Sequence, residues 1–409
     1  MNIKYVPSFN PTGENDGILA LTYDSIDRNG KKTKVFGYLG VPKNITPGTK
    51  VPAVVLIHGG CGYAFPQWVN EWNKRGYAAI SICTVGLFPK VLNAGLHEGC
   101  ENTEWTRELE GVFAQEGYVS APYNDDMQLH ESQPLEDMWM HHAIIQTLRA
   151  YDVIASLDCV DSRKVGAVGI SWGAIILSLA LGYENRFAFA IPVYGSGYLN
   201  EAHSFMKYKF TNPVVSKLWL AQDRFDRITL PVLWLCMNDD TCFSANSNTL
   251  SYKHTSAANK HTQLSIKSNW VHGHSCCWDE NNYPCHEIYR YADAMIKDEG
   301  LFSYITGETS GHDLTVYFIP EKNPEATYEA TLYYQTDYPY EYVIPEEITK
   351  SHLAHKWKTA PAVIANCENR QLIAKAKLPD NVSYYYMEIA VNTNGKKYVI
   401  SSKLNTIEV

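Results

Sequence analysis

The sequence lacks any dense cluster of lysine and arginine, although it is 409 residues long. Its formal net charge is -9 at pH 7, and its pI is near 5.9. Nucleic acids and anionic membranes require a concentrated basic surface on the proteins that bind them. We therefore expect neither a nucleic-acid partner nor a membrane partner; the oligomeric state is left open.

The sequence also lacks a long apolar run. The first residues, MNIKYVPSFNPTGEN, contain no stretch of the length that a signal peptide or membrane span needs, and none follows later. We predict a soluble cytoplasmic protein, or a periplasmic or secreted one if a signal peptide has been removed. No internal repeat stands out, which argues against a solenoid.

The ten cysteines lack the spacing of a disulfide framework and form no paired Cys-x-x-Cys units. Cys83 and Cys236 lie inside apolar runs typical of buried strands. Segment 276–286 contains three cysteines and a histidine, but without the ligand spacing of tetrahedral zinc sites. We predict free buried thiols, no metal and no cofactor.

Up to about residue 301, the sequence contains a series of short apolar runs that alternate with segments of helical periodicity. Residues 17–41 first form a predicted hairpin, with Asn29 and Gly30 at its turn. The runs VPAVVLIHGG, YAAISIC, KVGAVGIS, FAFAIPVYG, LPVLWLCMN and LSIKSN then read as buried strands. Strand, helix, strand alternation predicts the α/β class with a mostly parallel sheet flanked by helices.

Two further segments have a different character. Residues 87–133 are irregular and rich in Gly, Asn, Glu and aromatics, which favours a lid-like insertion. Residues 302–409 contain short alternating runs separated by turn residues, which predicts a small all-β sandwich of the Ig/Fn3-like kind. A chain of this length also exceeds the size at which one core usually stops growing. We predict two domains, 1–301 and 302–409.

The motif Gly169-Ile-Ser171-Trp-Gly173 fits G-x-S-x-G, with an apolar strand before it and an apolar helix after it. This is the context of the nucleophile elbow of α/β-hydrolases. Ser171 is therefore the predicted nucleophile. The alternative is that Ser171 only occupies a tight turn between strand and helix.

A serine nucleophile requires a histidine base held by a carboxylate, and in this fold they follow in the order Ser, Asp or Glu, His. Asp239 and Asp240 come directly after LPVLWLCMN, and we favour Asp239 with Asp240 as the alternative. His272 and His274 follow LSIKSN, and we favour His272 as the base with His274 as the alternative.

The oxyanion of an acyl-transfer intermediate needs two backbone N–H donors. The residue after the nucleophile, Trp172, supplies one. The glycine-rich segment HGGCGYAF supplies the other, from Cys61 or Gly62. The alternative is that these glycines only permit a tight turn.

With these motifs, the chain resembles the acetyl xylan esterase and cephalosporin-C deacetylase group of the dienelactone-hydrolase-like α/β-hydrolases. The likeness extends over about residues 23–300 and includes YDSIDRNGKKTKVFGYLGVP, HGGCGYAFPQWVNEWNKRGYAAI, VGAVGISWGA, LWLCMNDDTCF and NWVHGHSCCW. Some members are bacterial and carry an extra C-terminal β-domain. The resemblance implies an α/β-hydrolase fold, the triad Ser171, Asp239 and His272, and an oxyanion hole at Gly60–Gly62.

The resemblance implies a serine carboxylic ester hydrolase, with acetylated carbohydrates as the leading substrates. Aromatic residues near the insertion could stack on sugar rings, or could belong to the core; they are Trp105, Tyr118, Tyr123 and Trp139. A peptidase of the prolyl-oligopeptidase type is an alternative, although about fifty residues before the first core strand cannot form its propeller. A non-catalytic binding protein on the same fold is another.

Overall fold

A computed structural model describes residues 2–60, 62–89, 105–106, 133–270, 272–275, 285–336, 357–367 and 370–407. The chain forms two compact units. The first consists of Met1–Pro192 and Asn212–Arg227, and the second of Val193–Thr211 and Ile228–Val409.

The first unit is built on a mixed sheet with strand order β1-β2-β3-β5-β4-β8-β9. The antiparallel strands β1, β2 and β3 lead into β4, which pairs in parallel with β5 and β8. The bounds are β1 Ile3–Tyr5, β2 Leu19–Arg28, β3 Lys31–Gly40, β4 Val51–Ile57, β5 Ala78–Ile82, β8 Val160–Ile170 and β9 Ala190–Val193, with the separate pair β6 Phe88–Pro89 and β7 Trp105–Thr106.

The predicted hairpin joins β2 to β3. Its turn residues Asn29 and Gly30 have φ values of 52° and 71°. Asparagine and glycine are the residues that tolerate this left-handed backbone, and two such residues in succession match the twist of the flanking strands. The sequence prediction of this hairpin is confirmed.

The helices of the first unit are α1 Pro66–Lys74, α2 Trp139–Ala155, α3 Trp172–Ala180 and α5 Pro213–Trp219. Helix α1 has proline in its first turn, where the missing N–H costs no hydrogen bond. Every residue of α3 is buried, in agreement with its apolar sequence WGAIILSLA. The α3 helix is thus held by packing on all sides rather than along a single stripe.

The second unit continues the alternation of strands and helices. Strand β10, Leu233–Met237, pairs in parallel with β11, Gln263–Lys267, and through Leu235 with Val193 of β9. Three helices lie between or after these strands: α4 Met206–Phe210, α6 Ala245–Thr255 and α7 His286–Ile296.

The rest of the second unit is antiparallel sheet. One sheet has the order β12-β13-β17-β16, and the other β15-β14-β18-β19, with β20 paired to β18. The bounds are β12 Tyr304–Ser310, β13 Asp313–Ile319, β14 Thr327–Gln335, β15 Lys358–Pro361, β16 Val363–Asn366, β17 Leu372–Lys377, β18 Tyr384–Thr393, β19 Lys396–Ser401 and β20 Asn405–Thr406.

The two antiparallel sheets face each other. Leu314, Val316 and Phe318 alternate with more exposed neighbours along β13 and are fully buried. Between the sheets, the ring of Phe318 lies 5.5 Å from that of Tyr328, and the hydroxyls of Ser310 and Tyr385 are 2.6 Å apart. The predicted α/β-hydrolase fold with an all-β C-terminal part is therefore present.

The C-terminal strands bond directly to the last parallel strand. Ser265 Oγ of β11 donates to the Val399 carbonyl at 2.7 Å, and Ser401 Oγ accepts from the Ile266 N–H at 2.8 Å. These contacts explain why the compact units do not divide at residues 301 and 302, where we predicted the domain boundary. The change from alternating helices and strands to antiparallel strands does fall near the predicted boundary, between Leu301 and Tyr304.

Other predictions are tested only in part. Cys83 and Cys236 are free buried thiols, as predicted, whereas Cys159, Cys242 and Cys367 are free but only partly buried. Most of the predicted insertion, residues 87–133, lies outside the described residues. Within the described ranges, no helix is long and apolar enough to span a membrane.

We expect Glu287→Ala to lower the free energy of unfolding by about 3–5 kcal/mol. The Glu287 carboxylate is buried, accepts from Lys267 Nζ at 3.1 Å and from the Val399 N–H at 2.8 Å, and its loss leaves both donors without their acceptor. Urea denaturation measures the change. The control Lys297→Ala breaks an exposed pair with Asp293 and should cost about 0.3–0.5 kcal/mol. Equal costs for the two variants would contradict this prediction.

Candidate active site

Ser171 lies at a sharp bend between β8 and α3. Its φ and ψ are 55° and -118°, a conformation that non-glycine residues rarely adopt. Such strain costs roughly 1–3 kcal/mol and persists only where the surrounding structure imposes it. The predicted elbow is present, and Ser171 occupies its strained position.

The two glycines of the motif permit close backbone packing at this bend. A Cβ on Gly173 would lie 2.2 Å from the Ile57 carbonyl oxygen, at the end of β4. A Cβ on Gly169 would lie 2.2 Å from the Gly173 carbonyl oxygen. Since backbone cannot move aside as a flexible side chain can, both positions exclude any larger residue.

Trp172, the first residue of α3, follows Ser171. The N–H groups of a helix's first turn have no acceptor within the helix, and they carry its positive dipole end. The buried Trp172 ring packs edge-on against Trp139 at 5.5 Å. Trp139 in turn donates from Nε1 to the Thr84 carbonyl at 2.8 Å, so it is a hydrogen-bonded core residue rather than an exposed platform.

His58, at the end of β4, is fully buried and structural. Its Nε2 accepts from the Thr84 N–H at 3.0 Å, so Nδ1 carries the proton and donates to the Gly59 carbonyl at 2.7 Å. The Gly62 N–H donates to the same carbonyl at 3.2 Å and closes a turn. Of the two predicted donors in this loop, Gly62 is thus already engaged, and Cys61 lies outside the described residues.

Asp240 and His272 form a hydrogen-bonded pair in the second unit. The Asp240 carboxylate is buried, and its Oδ2 accepts from His272 Nδ1 at 3.0 Å. Its Oδ1 accepts from the N–H groups of Cys242 at 2.7 Å and Phe243 at 3.0 Å. This arrangement fixes the proton of the imidazole on Nδ1 and leaves Nε2 as the basic atom.

The preference for Asp239 over Asp240 was wrong as regards the partner of the histidine. Asp239 is partly exposed, and burial raises the pKa of its carboxyl above the usual value. Its Oδ1 has no hydrogen-bond partner among the described residues. The reason is local: the turn after β10 offers its N–H groups to Asp240, which orients that carboxylate toward His272.

His272 is the predicted histidine that pairs with the carboxylate, and its imidazole packs against two rings. Tyr194 is 4.2 Å away, and Phe243 stacks at 5.9 Å. The Tyr194 hydroxyl donates to the Gly273 carbonyl, which fixes the loop that carries His272. Tyr194 follows β9 directly and has a φ of 36°. This residue is not identified from the sequence, although its position at the carboxyl end of a strand was a signal that could have found it. The alternative base His274 is half-buried two residues further on.

Asp240, Cys242 and His272 also bring one oxygen, one sulfur and one nitrogen within 4.8 Å of one another, and no other such group occurs in the described ranges. Burial, with the Asp240 carboxylate, raises the pKa of the Cys242 thiol to about 12. A protonated thiol is a poor metal ligand. The carboxylate and the imidazole are moreover hydrogen-bonded to each other. The three residues are therefore better described as a hydrogen-bonded pair beside a thiol than as a metal centre. Cys276 and Cys277 lie outside the described residues.

Residues 35–294 match the dienelactone hydrolase family. The chain belongs to this family. It is therefore a hydrolase with the α/β-hydrolase fold, as the resemblance of its motifs predicts. A search of curated protein sequences finds no match.

Solved structures share the fold at low identity. An acetyl xylan esterase from Paenibacillus sp. R4 is 17% identical over 72% of this chain and 88% of its own, with a TM-score of 0.45. Est1E from Butyrivibrio proteoclasticus is 17% identical over 68% and 96%, with a TM-score of 0.38. An acylaminoacyl peptidase from Pyrococcus horikoshii is 16% identical over 68% of this chain and only 40% of its own, with a TM-score of 0.45. The hydrolase thus spans less than half of the peptidase, and these similarities concern the fold alone.

The C-terminal strands of this dienelactone hydrolase family member brace the loops that carry Asp240 and His272. Trp357 Nε1 donates to the Asn238 carbonyl at 3.0 Å, two residues before Asp240. On the other loop, the Ser268 N–H donates to Glu388 at 2.8 Å, and the Ser268 hydroxyl lies 2.8 Å from that of Tyr333. The positions of Asp240 and His272 therefore depend on residues far along the chain.

Glu388 gives this brace a pH dependence. Burial raises the pKa of its carboxyl, although the Ser268 N–H acts in the opposite direction. A carboxyl group whose pKa is higher in the folded than in the unfolded protein stabilises the fold at pH values below its unfolded-state pKa. This contribution is lost as the pH rises through the pKa of the folded state. We expect the free energy of unfolding of the wild type to fall relative to Glu388→Gln as the pH rises from acid to neutral.

Urea denaturation of both proteins between about pH 4 and pH 7 measures this difference, because that window begins near the ordinary glutamate pKa. Glu329→Gln on the exposed side of β14 is the matched control and should leave the wild-type pH profile unchanged. Parallel profiles for wild type and Glu388→Gln would show that Glu388 does not titrate in this way.

Proposed function

We propose that this hydrolase is a serine carboxylic ester hydrolase in which Ser171 is the nucleophile, His272 the general base and Asp240 the residue that orients it. The observation that carries the proposal is the hydrogen bond from His272 Nδ1 to the buried Asp240 carboxylate. The strained Ser171 elbow supports it, because strain of this kind is concentrated at functional positions. The order Ser, Asp, His along the chain agrees with the family's fold.

The reaction proceeds in two steps. Ser171 Oγ transfers its proton to His272 Nε2 and attacks the ester carbonyl carbon, and the imidazolium returns that proton to the departing alcohol oxygen. Water, deprotonated by the same nitrogen, then attacks the acyl-enzyme, releases the carboxylic acid and restores Ser171. The ionised Asp240 stabilises the imidazolium in both steps.

Backbone N–H groups stabilise the tetrahedral oxyanion. We assign one donor to Trp172, since it is the first residue of α3. Because the Gly62 N–H is bonded to Gly59, we assign the second to Cys61 rather than Gly62. Both groups are main-chain donors, so the side chain of residue 61 does not enter the chemistry.

Acetylated carbohydrates are the substrates that we propose. The support is the motif resemblance to acetyl xylan esterases; Trp139, one of the aromatic residues considered as a sugar platform, is instead a core residue bonded to Thr84. A peptidase activity of the prolyl-oligopeptidase type and a non-catalytic binding role are the competing functions, and a panel of ester and amide substrates separates them.

The first test is hydrolysis of p-nitrophenyl acetate, butyrate and octanoate and of a peptide p-nitroanilide by wild type and Ser171→Ala. We expect the acetate to be hydrolysed fastest by the wild type, and Ser171→Ala to lose about 10⁴- to 10⁶-fold in kcat. Acetylated xylo-oligosaccharides, followed by acetate release, form the next panel.

The controls decide among the competing functions. Faster cleavage of the anilide than of any ester would favour a peptidase. A wild type that hydrolyses nothing and does not react with a covalent serine-directed probe would contradict the enzyme proposal and favour a binding protein.

The second test compares Asp240→Asn with its neighbour Asp239→Asn. We expect Asp240→Asn to lower kcat by about 10²- to 10⁴-fold, because an asparagine neither holds the Nδ1–H tautomer nor stabilises the imidazolium. Asp239→Asn keeps the Asp240 hydrogen bonds and should retain near wild-type kcat. Steady-state kinetics with p-nitrophenyl acetate measures both. A larger loss of kcat in Asp239→Asn than in Asp240→Asn would indicate that Asp239 orients the histidine.

His272→Ala completes the set. Because residues that act as a unit are not additive, Asp240→Asn combined with His272→Ala should be no slower than His272→Ala alone. If His274→Ala proved more damaging to kcat than His272→Ala, the base assignment would be wrong.

A further inference from the structure

Tyr194 is a buried residue with a strained backbone, directly after the carboxyl end of β9. Its φ of 36° lies in a region that non-glycine residues rarely adopt, and its N–H donates to the Leu235 carbonyl of β10 at 2.6 Å. Strain of this kind persists only where surrounding contacts impose it, and it is concentrated at functional sites. The contacts of the Tyr194 side chain therefore indicate what the strain serves.

The hydroxyl of Tyr194 makes two hydrogen bonds with Gly273, the residue after His272. It donates to the Gly273 carbonyl and accepts from the Gly273 N–H at 3.3 Å. Two residues before His272, the Trp270 ring packs edge-on against Tyr194 at 5.4 Å. Tyr194 thus contacts the chain on both sides of His272, which fixes the phenol ring relative to the imidazole.

The phenol ring also contacts the imidazole itself. The two ring centroids are 4.2 Å apart, and the ring planes differ by 34°. The face of an aromatic ring carries negative electrostatic potential and attracts a cation within about 6 Å of the ring centre. A neutral imidazole gains little from this attraction, whereas an imidazolium gains more. The contact therefore favours the charged form of the His272 ring.

Other groups around the imidazole act differently. The Asp240 carboxylate accepts from Nδ1 and attracts positive charge on the ring as well. The Cys242 thiol is neutral, because burial and the nearby Asp240 carboxylate raise its pKa to about 12. Phe243 stacks at 5.9 Å, near the limit for attraction of a cation by a ring. Of the two aromatic rings, Tyr194 is the closer one and should act more strongly.

In the proposed hydrolysis, His272 becomes an imidazolium in each step, when it takes a proton first from Ser171 and then from water. An interaction that is stronger with the imidazolium than with the neutral ring stabilises the transition state more than the resting enzyme, and so raises kcat. We propose that Tyr194 is a positioning residue whose ring face stabilises the His272 imidazolium, while its hydroxyl holds the two rings in contact. The inference rests on the proposed function, because it takes His272 as the base.

A series of phenylalanines with zero to three fluorine atoms on the ring, placed at position 194, tests this inference. All of them lack the hydroxyl, and fluorine withdraws electron density from the ring face with little change of shape. We expect kcat for p-nitrophenyl acetate to fall stepwise, by about 2- to 5-fold from Tyr194→Phe to the trifluorinated variant. This is the low end of the cation-aromatic range, because the His272 side chain is 29% exposed.

The pH profile separates this effect from a purely structural role. The midpoint of the acid limb of kcat/KM should move to lower pH by about 0.3–0.7 pH unit across the series, since the same attraction favours the protonated ring in the free enzyme. Misalignment of the imidazole alone would lower kcat and leave this midpoint unchanged. The same fluorine series at Phe318, buried between the antiparallel sheets, is the matched control and should change neither quantity.

Two results would overturn the proposal: a kcat that stays constant across the fluorine series, or a kcat that falls while the midpoint stays constant. If Tyr194→Phe does not fold, a tyrosine fluorinated on the two ring carbons beside the Cβ attachment takes the place of the series, because it keeps the hydroxyl. An unchanged midpoint in that variant would overturn the proposal equally.

An NMR titration of the His272 imidazole, assigned with His272→Ala, keeps this inference separable from the proposed function. Its midpoint should fall across the series whether or not an ester is turned over. If Ser171→Ala abolished hydrolysis but neither midpoint moved, the proposed function would stand and the role of Tyr194 would fall. If the NMR midpoint moved in a protein that hydrolyses no ester, the attraction would be present, but its catalytic role would fall with the proposed function.

Discussion

The Asp240 carboxylate is the group on which the proposed chemistry depends. Two backbone N–H groups of its own turn hold one oxygen, and His272 holds the other. A carboxylate held by three donors keeps its orientation. It can therefore fix the imidazole tautomer and stabilise positive charge on that ring. Tyr194 and Phe243 also pack against the ring and restrict its position.

The C-terminal strands contribute to this arrangement through hydrogen bonds rather than through a linker. Trp357 holds the backbone just before Asp240, and Glu388 with Tyr333 holds Ser268 before His272. The buried pair of Lys267 and Glu287 joins β11 to α7, and Glu287 also binds the Val399 N–H of β19. Short loops at strand ends are intrinsically mobile, and such bonds restrict them. The antiparallel part therefore helps to fix the loops that carry Asp240 and His272.

The elbow shows what packing demands of particular residues. Gly169 and Gly173 are required because backbone atoms approach where a Cβ would stand, and Ser171 is held in a strained conformation by that same packing. These constraints could be anticipated, since G-x-S-x-G between an apolar strand and an apolar helix is typical of a nucleophile elbow. The choice between adjacent aspartates could not. Both directly follow β10, and only the direction of the turn's N–H groups decides which carboxylate meets His272.

The sequence by itself determined the α/β-hydrolase fold, the hairpin at Asn29 and Gly30, the antiparallel C-terminal strands, the elbow at Ser171 and the histidine that follows β11. Periodicity, turn chemistry and chain order are local, and they can be read without knowing what packs against them. Tertiary structure alone decided that Asp240 pairs with His272, that Trp139 is core, that Gly62 is engaged in a turn and that Tyr194, Trp357 and Glu388 secure the loops. Apart from the local turn at Gly62, each of these depends on contacts between residues distant in the chain, and no local pattern records which atoms will meet.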